Sequence, residues 1–115
     1  MPEAAKILVV DDTPANIGVL LEALENADYE VLVAESGTSA LAQLKHVVPD
    51  LILLDVMMPG MDGFETCRRL RDNAHWKHIP VLFMTALDET KQKVRAFDVG
   101  AVDYIVKPFF EQEVL

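Results

Sequence analysis

Three carboxylates, one hydroxyl and one ammonium group stand at the ends of short apolar runs in this chain. Asp11 and Asp12 follow Lys6-Ile7-Leu8-Val9-Val10, and Asp55 follows Leu51-Ile52-Leu53-Leu54. Thr85 closes Pro80-Val81-Leu82-Phe83-Met84, and Lys107 follows Asp103-Tyr104-Ile105-Val106. Runs of this kind read as strands buried on both faces. A charged residue at the end of one marks where the chain leaves the core, because a buried unpaired carboxylate is too costly. In open parallel α/β sheets that edge is where ligands bind. Carboxylates gathered there repel and raise one another's pKa values. A hard divalent cation resolves the repulsion, and Mg²⁺ takes one or two carboxylates together with waters and phosphate oxygens. With Lys107 as a fixed positive charge and Thr85 as a hydroxyl donor, the set suits an anionic phosphoryl group in transfer. One carboxylate then serves as nucleophile, and Asp55 is the first candidate.

The elements that must hold these groups are legible as an alternation of strands and helices. After the strand Lys6–Val10, Thr13-Pro14 reads as a helix start, with Thr13 as N-cap and proline at the first helical position. Ile17, Leu20, Leu21 and Leu24 then form one apolar stripe at helical spacing. Tyr29 to Ala34 reads as the second strand. Ser36-Gly37 opens a helix carrying Ala40, Leu41 and Leu44, and Pro49-Asp50 breaks it before the strand that ends at Asp55. Pro59-Gly60-Met61-Asp62-Gly63 is turn chemistry. Phe64, Cys67 and Leu70 mark the next helix, and residues 72–78 are a polar connection to a fourth strand over 80–85. Asp88 caps a helix through Val99 that ends at Gly100, and 103–106 is the fifth strand. Lys107-Pro108 is a turn, and Phe109 to Leu115 begins a last helix. Five strands alternating with helices predict a doubly wound parallel sheet with helices on both faces. The last helix runs for about two turns where the sequence stops, so the expectation is one domain over 1–115, cut within its final element and belonging to a longer protein.

Composition bounds the rest. At 115 residues, 51% hydrophobic and 25% charged, the chain suits one globular core. No apolar stretch approaches a membrane span and no signal peptide is evident. The single cysteine, Cys67, excludes an internal disulfide and fits a cytoplasmic location. A net charge of −9 disfavours direct nucleic-acid binding by this segment. Cys67, Met57 and Met58 read as core side chains. His46, His75 and His78 are not spaced as ligands and read as surface residues. Trp76 has no evident role in its polar loop.

Four motifs in register resemble the receiver domains of bacterial two-component response regulators. They are Val9-Val10-Asp11-Asp12, Asp55-Val56-Met57-Met58-Pro59-Gly60-Met61-Asp62-Gly63, Thr85-Ala86, and the run Gly100-Ala101-Val102-Asp103-Tyr104-Ile105-Val106-Lys107-Pro108-Phe109. The resemblance covers nearly the whole chain. It implies a flavodoxin-like sheet in the order 2-1-3-4-5. It makes Asp55 the phosphoacceptor, Asp12 and Asp55 direct Mg²⁺ ligands (Mn²⁺ substituting), Asp11 the holder of a metal-bound water, and the Met57 carbonyl a third protein ligand. Lys107 would pair with the phosphoryl oxygens, Thr85 would move inward to hydrogen-bond them, and Tyr104 would turn inward as the aromatic switch. The Lys107–Pro108 bond is expected to be cis. The implied partner is a sensor histidine kinase or a phosphotransfer protein. The implied output face is the fourth helix, fifth strand and fifth helix, and the resemblance admits a homodimer through it. The domain would catalyse only its own phosphorylation and dephosphorylation.

Other classes fit the residues less well. Phosphatases and dehalogenases with an aspartate nucleophile usually want a second acid two residues on, where this chain has Met57, and they need a cap. Flavin binding lacks a phosphate-cradling loop after the first strand. A degenerate receiver serving only as an interaction module is at odds with the complete acceptor set. A tie to signalling enzymes such as cyclases, phosphodiesterases or hybrid kinases is implied by Asp11-Asp12-Thr13-Pro14-Ala15-Asn16, and a DNA-binding output stays open. In the family, the side chains two positions after the phosphoacceptor and two after the threonine flank the path of the hydrolytic water. Here they are Met57 and Leu87, both apolar, so the expectation is slow autodephosphorylation.

Overall fold

The computed structural model describes residues 4–85 and 103–106. Its strands are β1 (Lys6–Val10), β2 (Glu30–Ala34), β3 (Leu51–Asp55), β4 (Val81–Thr85) and β5 (Asp103–Val106), and its helices are α1 (Pro14–Asn26), α2 (Gly37–Gln43) and α3 (Gly63–Arg71). The strands form one parallel sheet in the order β2-β1-β3-β4-β5. The helices expected over 88–99 and 109–115 lie outside the described residues.

Successive strand side chains point to opposite faces, and β1 shows what each face buries. Leu8 and Val10 join Ala40 and Leu44 of the α2 region, Phe64, Cys67 and Leu70 of α3, and Phe83 of β4. Ile7 and Val9 join Leu20 and Leu24 of α1, with Leu53 and Met84. α1 therefore covers one face, and α2 and α3 the other. Phe64 and Phe83 meet edge to face at 5.1 Å between centroids, a favoured aromatic geometry. Burial raises the pKa of the Cys67 thiol, while nearby Arg71 and Arg68 pull it down, which suits its place in the core.

Three local expectations change. β2 begins at Glu30, because Tyr29 closes the preceding helix: its N–H reaches the Leu24 carbonyl at 3.1 Å, and the Asp28 N–H reaches Glu25 at 3.0 Å. This is a Schellman closure, with Asp28 at φ 67° in the left-handed position where glycine is usual. Asp28→Gly should remove that strain and stabilise the fold by about 0.5–1 kcal/mol, read as a raised urea midpoint at unchanged slope. Thr13 sits at the N-cap of α1, but its side chain makes no capping bond. Its own N–H instead donates to Asp11 Oδ1 at 2.9 Å. Trp76 is no bystander. It packs partly buried against the core, in a segment that Arg71 fastens by donating from Nη1 to the carbonyls of Lys77 at 3.0 Å and Ile79 at 2.8 Å.

Candidate functional site

Sheet register gathers the acids. Val10 pairs with Ala34 on one side and with Leu54 on the other. Asp11 and Asp55 each stand one residue beyond the Val10–Leu54 pair, on neighbouring strands about 4.8 Å apart. Asp12 follows where the chain turns toward α1. The result is one cluster: carboxylate oxygens of Asp11, Asp12 and Asp55 all lie within 4.8 Å of one another. Asp11 is 0% exposed and Asp55 2%, whereas Asp12 faces solvent.

Backbone groups fix the two buried acids. The Asp11 N–H donates to the Ala34 carbonyl at 3.1 Å, and Asp11 Oδ1 accepts from Thr13 as above. Asp55 Oδ1 accepts from the Met57 N–H at 3.2 Å. The Val56 N–H donates to the Met84 carbonyl at 3.0 Å and so carries the β3–β4 ladder past Asp55. Such short side-chain-to-backbone loops hold carboxylates in place at turns.

The N-terminus of α3 presses on the same segment. Asp62 caps the helix by accepting from Glu65 N–H at 2.9 Å, and the Gly63 N–H donates to the Val56 carbonyl at 3.0 Å. A Cβ on Gly63 would collide with the Asp55 carbonyl oxygen and come within 2.9 Å of Val56 Cα. Glycine is required here by close backbone approach, a role hidden within what the sequence shows only as a turn. The Asp62-x-x-Glu65 spacing was the available signal for the cap. Glu65 also pairs with Arg68 at 2.7 Å and Arg69 at 3.3 Å, exposed contacts worth little.

The donor set fits a hard divalent cation. Octahedral Mg²⁺ with ligands at about 2.1 Å spans about 4.2 Å between opposed oxygens, close to the spread of these three carboxylates. Oxygen-only donors suit Mg²⁺ or Mn²⁺.

The remaining expected residues are placed unequally. Thr85 ends β4 and pairs with Val106 of β5, so its backbone stands one residue past Met84, the partner of Asp55. Tyr104 lies in β5 opposite Phe83. Lys107 follows Val106 directly but, like Ala86, Leu87 and Pro108, lies outside the described residues. Met57 departs from expectation. It is 67% exposed, while Met58 is 7% exposed and in the core. The chain has left the sheet by then, so the type of residue alone no longer decides burial. His46, His75 and His78 are exposed.

Comparison with known proteins decides the family. The model of the response regulator receiver domain matches residues 7–115. The chain belongs to this family. Its receiver sequence is 49% identical over 105 residues to the response regulator PleD of Caulobacter vibrioides, covering 91% of this chain and 23% of that protein. The chain thus spans about a quarter of that relative's length. The chemotaxis protein CheY4 of Vibrio cholerae superposes with a TM-score of 0.92 at 35% identity, covering 96% of this chain and 92% of that one. The Mn²⁺-bound form of response regulator Rcp1 superposes with a TM-score of 0.84 at 26% identity, covering 96% and 86%. The receiver is a signalling switch of the flavodoxin-like parallel fold, and its acidic pocket is of the type in which receivers bind divalent metal. No described helix is long and apolar enough to cross a membrane.

Proposed function

We propose that this receiver takes a phosphoryl group onto Asp55 from the phosphohistidine of a sensor histidine kinase or a phosphotransfer protein. The observation that carries the reading is the meeting of the Asp11, Asp12 and Asp55 oxygens at the C-terminal edge of the sheet. Asp12, Asp55 and the Met57 carbonyl would hold Mg²⁺ directly, and Asp11 would hold one of its waters. When bound, the ion supplies positive charge that offsets the carboxylates and the phosphoryl oxygens. An Asp55 carboxylate oxygen attacks phosphorus, the P–N bond breaks, and the imidazole nitrogen leaves with the electron pair and takes up a proton. The Met57 N–H holds Asp55 Oδ1, which fixes the rotamer of the attacking group. Lys107 pairs with the phosphoryl oxygens, Thr85 moves in to donate to them, and Tyr104 turns inward behind it. That charge shifts a two-state equilibrium at the output face that the resemblance implies, the fourth helix, β5 and the fifth helix, and this face serves the output or a homodimer.

The same reading makes the chain the receiver portion of a longer cytoplasmic protein, consistent with the share of PleD that it spans. The net charge of −9 supports an output exerted through protein contacts, not by direct nucleic-acid binding of this segment. Incubation with acetyl phosphate and Mg²⁺, followed by intact-mass spectrometry, tests the function. The expected result is gain of one phosphoryl group in the wild type, abolished by EDTA. A folded protein that binds Mg²⁺ and gains nothing from acetyl phosphate or from a phosphorylated kinase would sink it.

The apolar pair Met57 and Leu87 gives this receiver a slow autodephosphorylation. Neither side chain can orient water, whereas Asn and Glu can. Met57→Asn with Leu87→Glu should shorten the phosphoryl half-life, read by the decay of the phosphorylated mass. An unchanged half-life removes the assignment.

A further inference from the structure

Among the described methionines, Met58 and Met84 are buried and Met61 is half-buried, while Met57 is 67% exposed. Its thioether therefore stands in solvent, two residues from Asp55 and on the very residue whose N–H holds the Asp55 carboxylate. Among the described residues, Met57 belongs to neither hydrophobic cluster. Its chemistry is thus free to change without disturbing the core.

We propose that Met57 is a redox-modification site through which peroxide shortens the life of the phosphoryl group on Asp55. The inference rests on Asp55 being the phosphoacceptor. The thioether sulfur attacks one peroxide oxygen, an S–O bond forms, the O–O bond breaks, and water leaves. Sulfur is oxidised by two electrons and the peroxide is reduced. The product turns a flexible apolar side chain into a polar one with a strong hydrogen-bond acceptor. Two residues from the acylphosphate, the apolar form offers water no hydrogen-bonding partner, whereas the sulfoxide oxygen accepts from water and holds it there. Reduction of the sulfoxide by a methionine sulfoxide reductase restores the slow state, so the change is a reversible reset of the switch. Burial protects Met58 and Met84 from the same oxidant, which makes the response selective.

The test treats the 115-residue chain with graded hydrogen peroxide and maps the gain of about 16 Da per sulfoxide by fragmentation between Met57 and Met58. Met57 is expected to be modified at concentrations that leave Met58, Met61 and Met84 intact. Modification of any of those three first, or together with Met57, overturns the site. The phosphoryl half-life is then compared before and after peroxide in the wild type and in Met57→Leu, each against its own untreated control. A severalfold shortening in the wild type that is absent in Met57→Leu is the expected result. Equal shortening in both, or none in the wild type, overturns the regulatory role. A folded, untreated chain that takes no phosphoryl group from acetyl phosphate or from a phosphorylated kinase refutes the phosphoacceptor reading, and the regulatory role with it, while the peptide map still decides the oxidation site.

Discussion

Gly63→Ala should weaken divalent-metal binding and phosphoryl uptake as well as stability, whereas Gly37→Ala should lower stability alone. Both glycines stand where an added Cβ has no room. The obstacle at Gly37 is the Thr66 hydroxyl, a side-chain atom that donates to the Asp62 carbonyl at 2.8 Å. A modest rotation of Thr66 relieves that collision without touching the acids. At Gly63 the obstacles are the Asp55 carbonyl and Val56 Cα, which are backbone. α3 must therefore move away from β3, or the Asp55–Met57 segment must shift. Overpacking of this kind costs about 1–3 kcal/mol, and the rigid backbone puts Gly63 at the upper end. The displaced segment carries the Asp55 carboxylate, the Met57 N–H that holds it and the Met57 carbonyl. Metal affinity, measured by calorimetry, separates the two variants. Equal affinity in folded Gly63→Ala and wild type would mean that the helix contact supports the fold only. Thr66→Ala added to Gly37→Ala should recover stability, while no side-chain deletion rescues Gly63→Ala.

Much of this arrangement could be read from residue order, and the exceptions share a cause. Strand runs ending in Asp11 and Asp55 place the acids because parallel register is set by which apolar residues must be buried, and Val10 opposite Leu54 leaves little freedom to the next residue. Cys67 at 0% exposure follows from helical spacing in the same way. Met57 does not, because residue type predicts burial only where a regular element fixes the direction of the side chain. Past Asp55 the backbone turns, and an apolar residue there is left in water. Trp76 fails for the opposite reason. It lies in a polar stretch with no periodicity, and its burial depends on Arg71, five residues earlier, whose guanidinium gathers two carbonyls of the loop. Asp28 hid a helix end because the sequence offers no glycine there. The requirement for Gly63 is tertiary: nothing local states that its Cα lies against Asp55.

In the absence of metal, Asp55→Asn should be more stable than the wild type and should lose the stabilisation that Mg²⁺ confers. The three carboxylates lie within 4.8 Å of one another, and two of them are almost wholly buried. At an effective dielectric near 20, two unit charges about 5 Å apart repel by roughly 3 kcal/mol. Relaxation and bound water reduce what is recovered, so a gain of about 1–3 kcal/mol is expected. Asparagine keeps the Oδ1 acceptor for the Met57 N–H and is nearly isosteric, so packing is preserved. Asp50→Asn removes the same unit charge from a distant acid whose Oδ2 accepts from Lys6 N–H at 2.8 Å. It therefore controls for the net charge of −9, and it should not stabilise. Thermal unfolding in EDTA checks the first half of the prediction. Titration with Mg²⁺ checks the second: a ligand that binds only the folded state raises stability by about 2.7 kcal/mol at a hundredfold excess over Kd. The wild type and Asp50→Asn should show that rise, and Asp55→Asn should show little of it. If Asp55→Asn is folded yet no more stable than the wild type in EDTA, the triad carries no repulsive strain. If its Mg²⁺ response is intact, Asp55 is not among the ligands. A gain in stability coupled to a loss of metal is what a site built for charge neutralisation requires, because such strain persists only where function needs it.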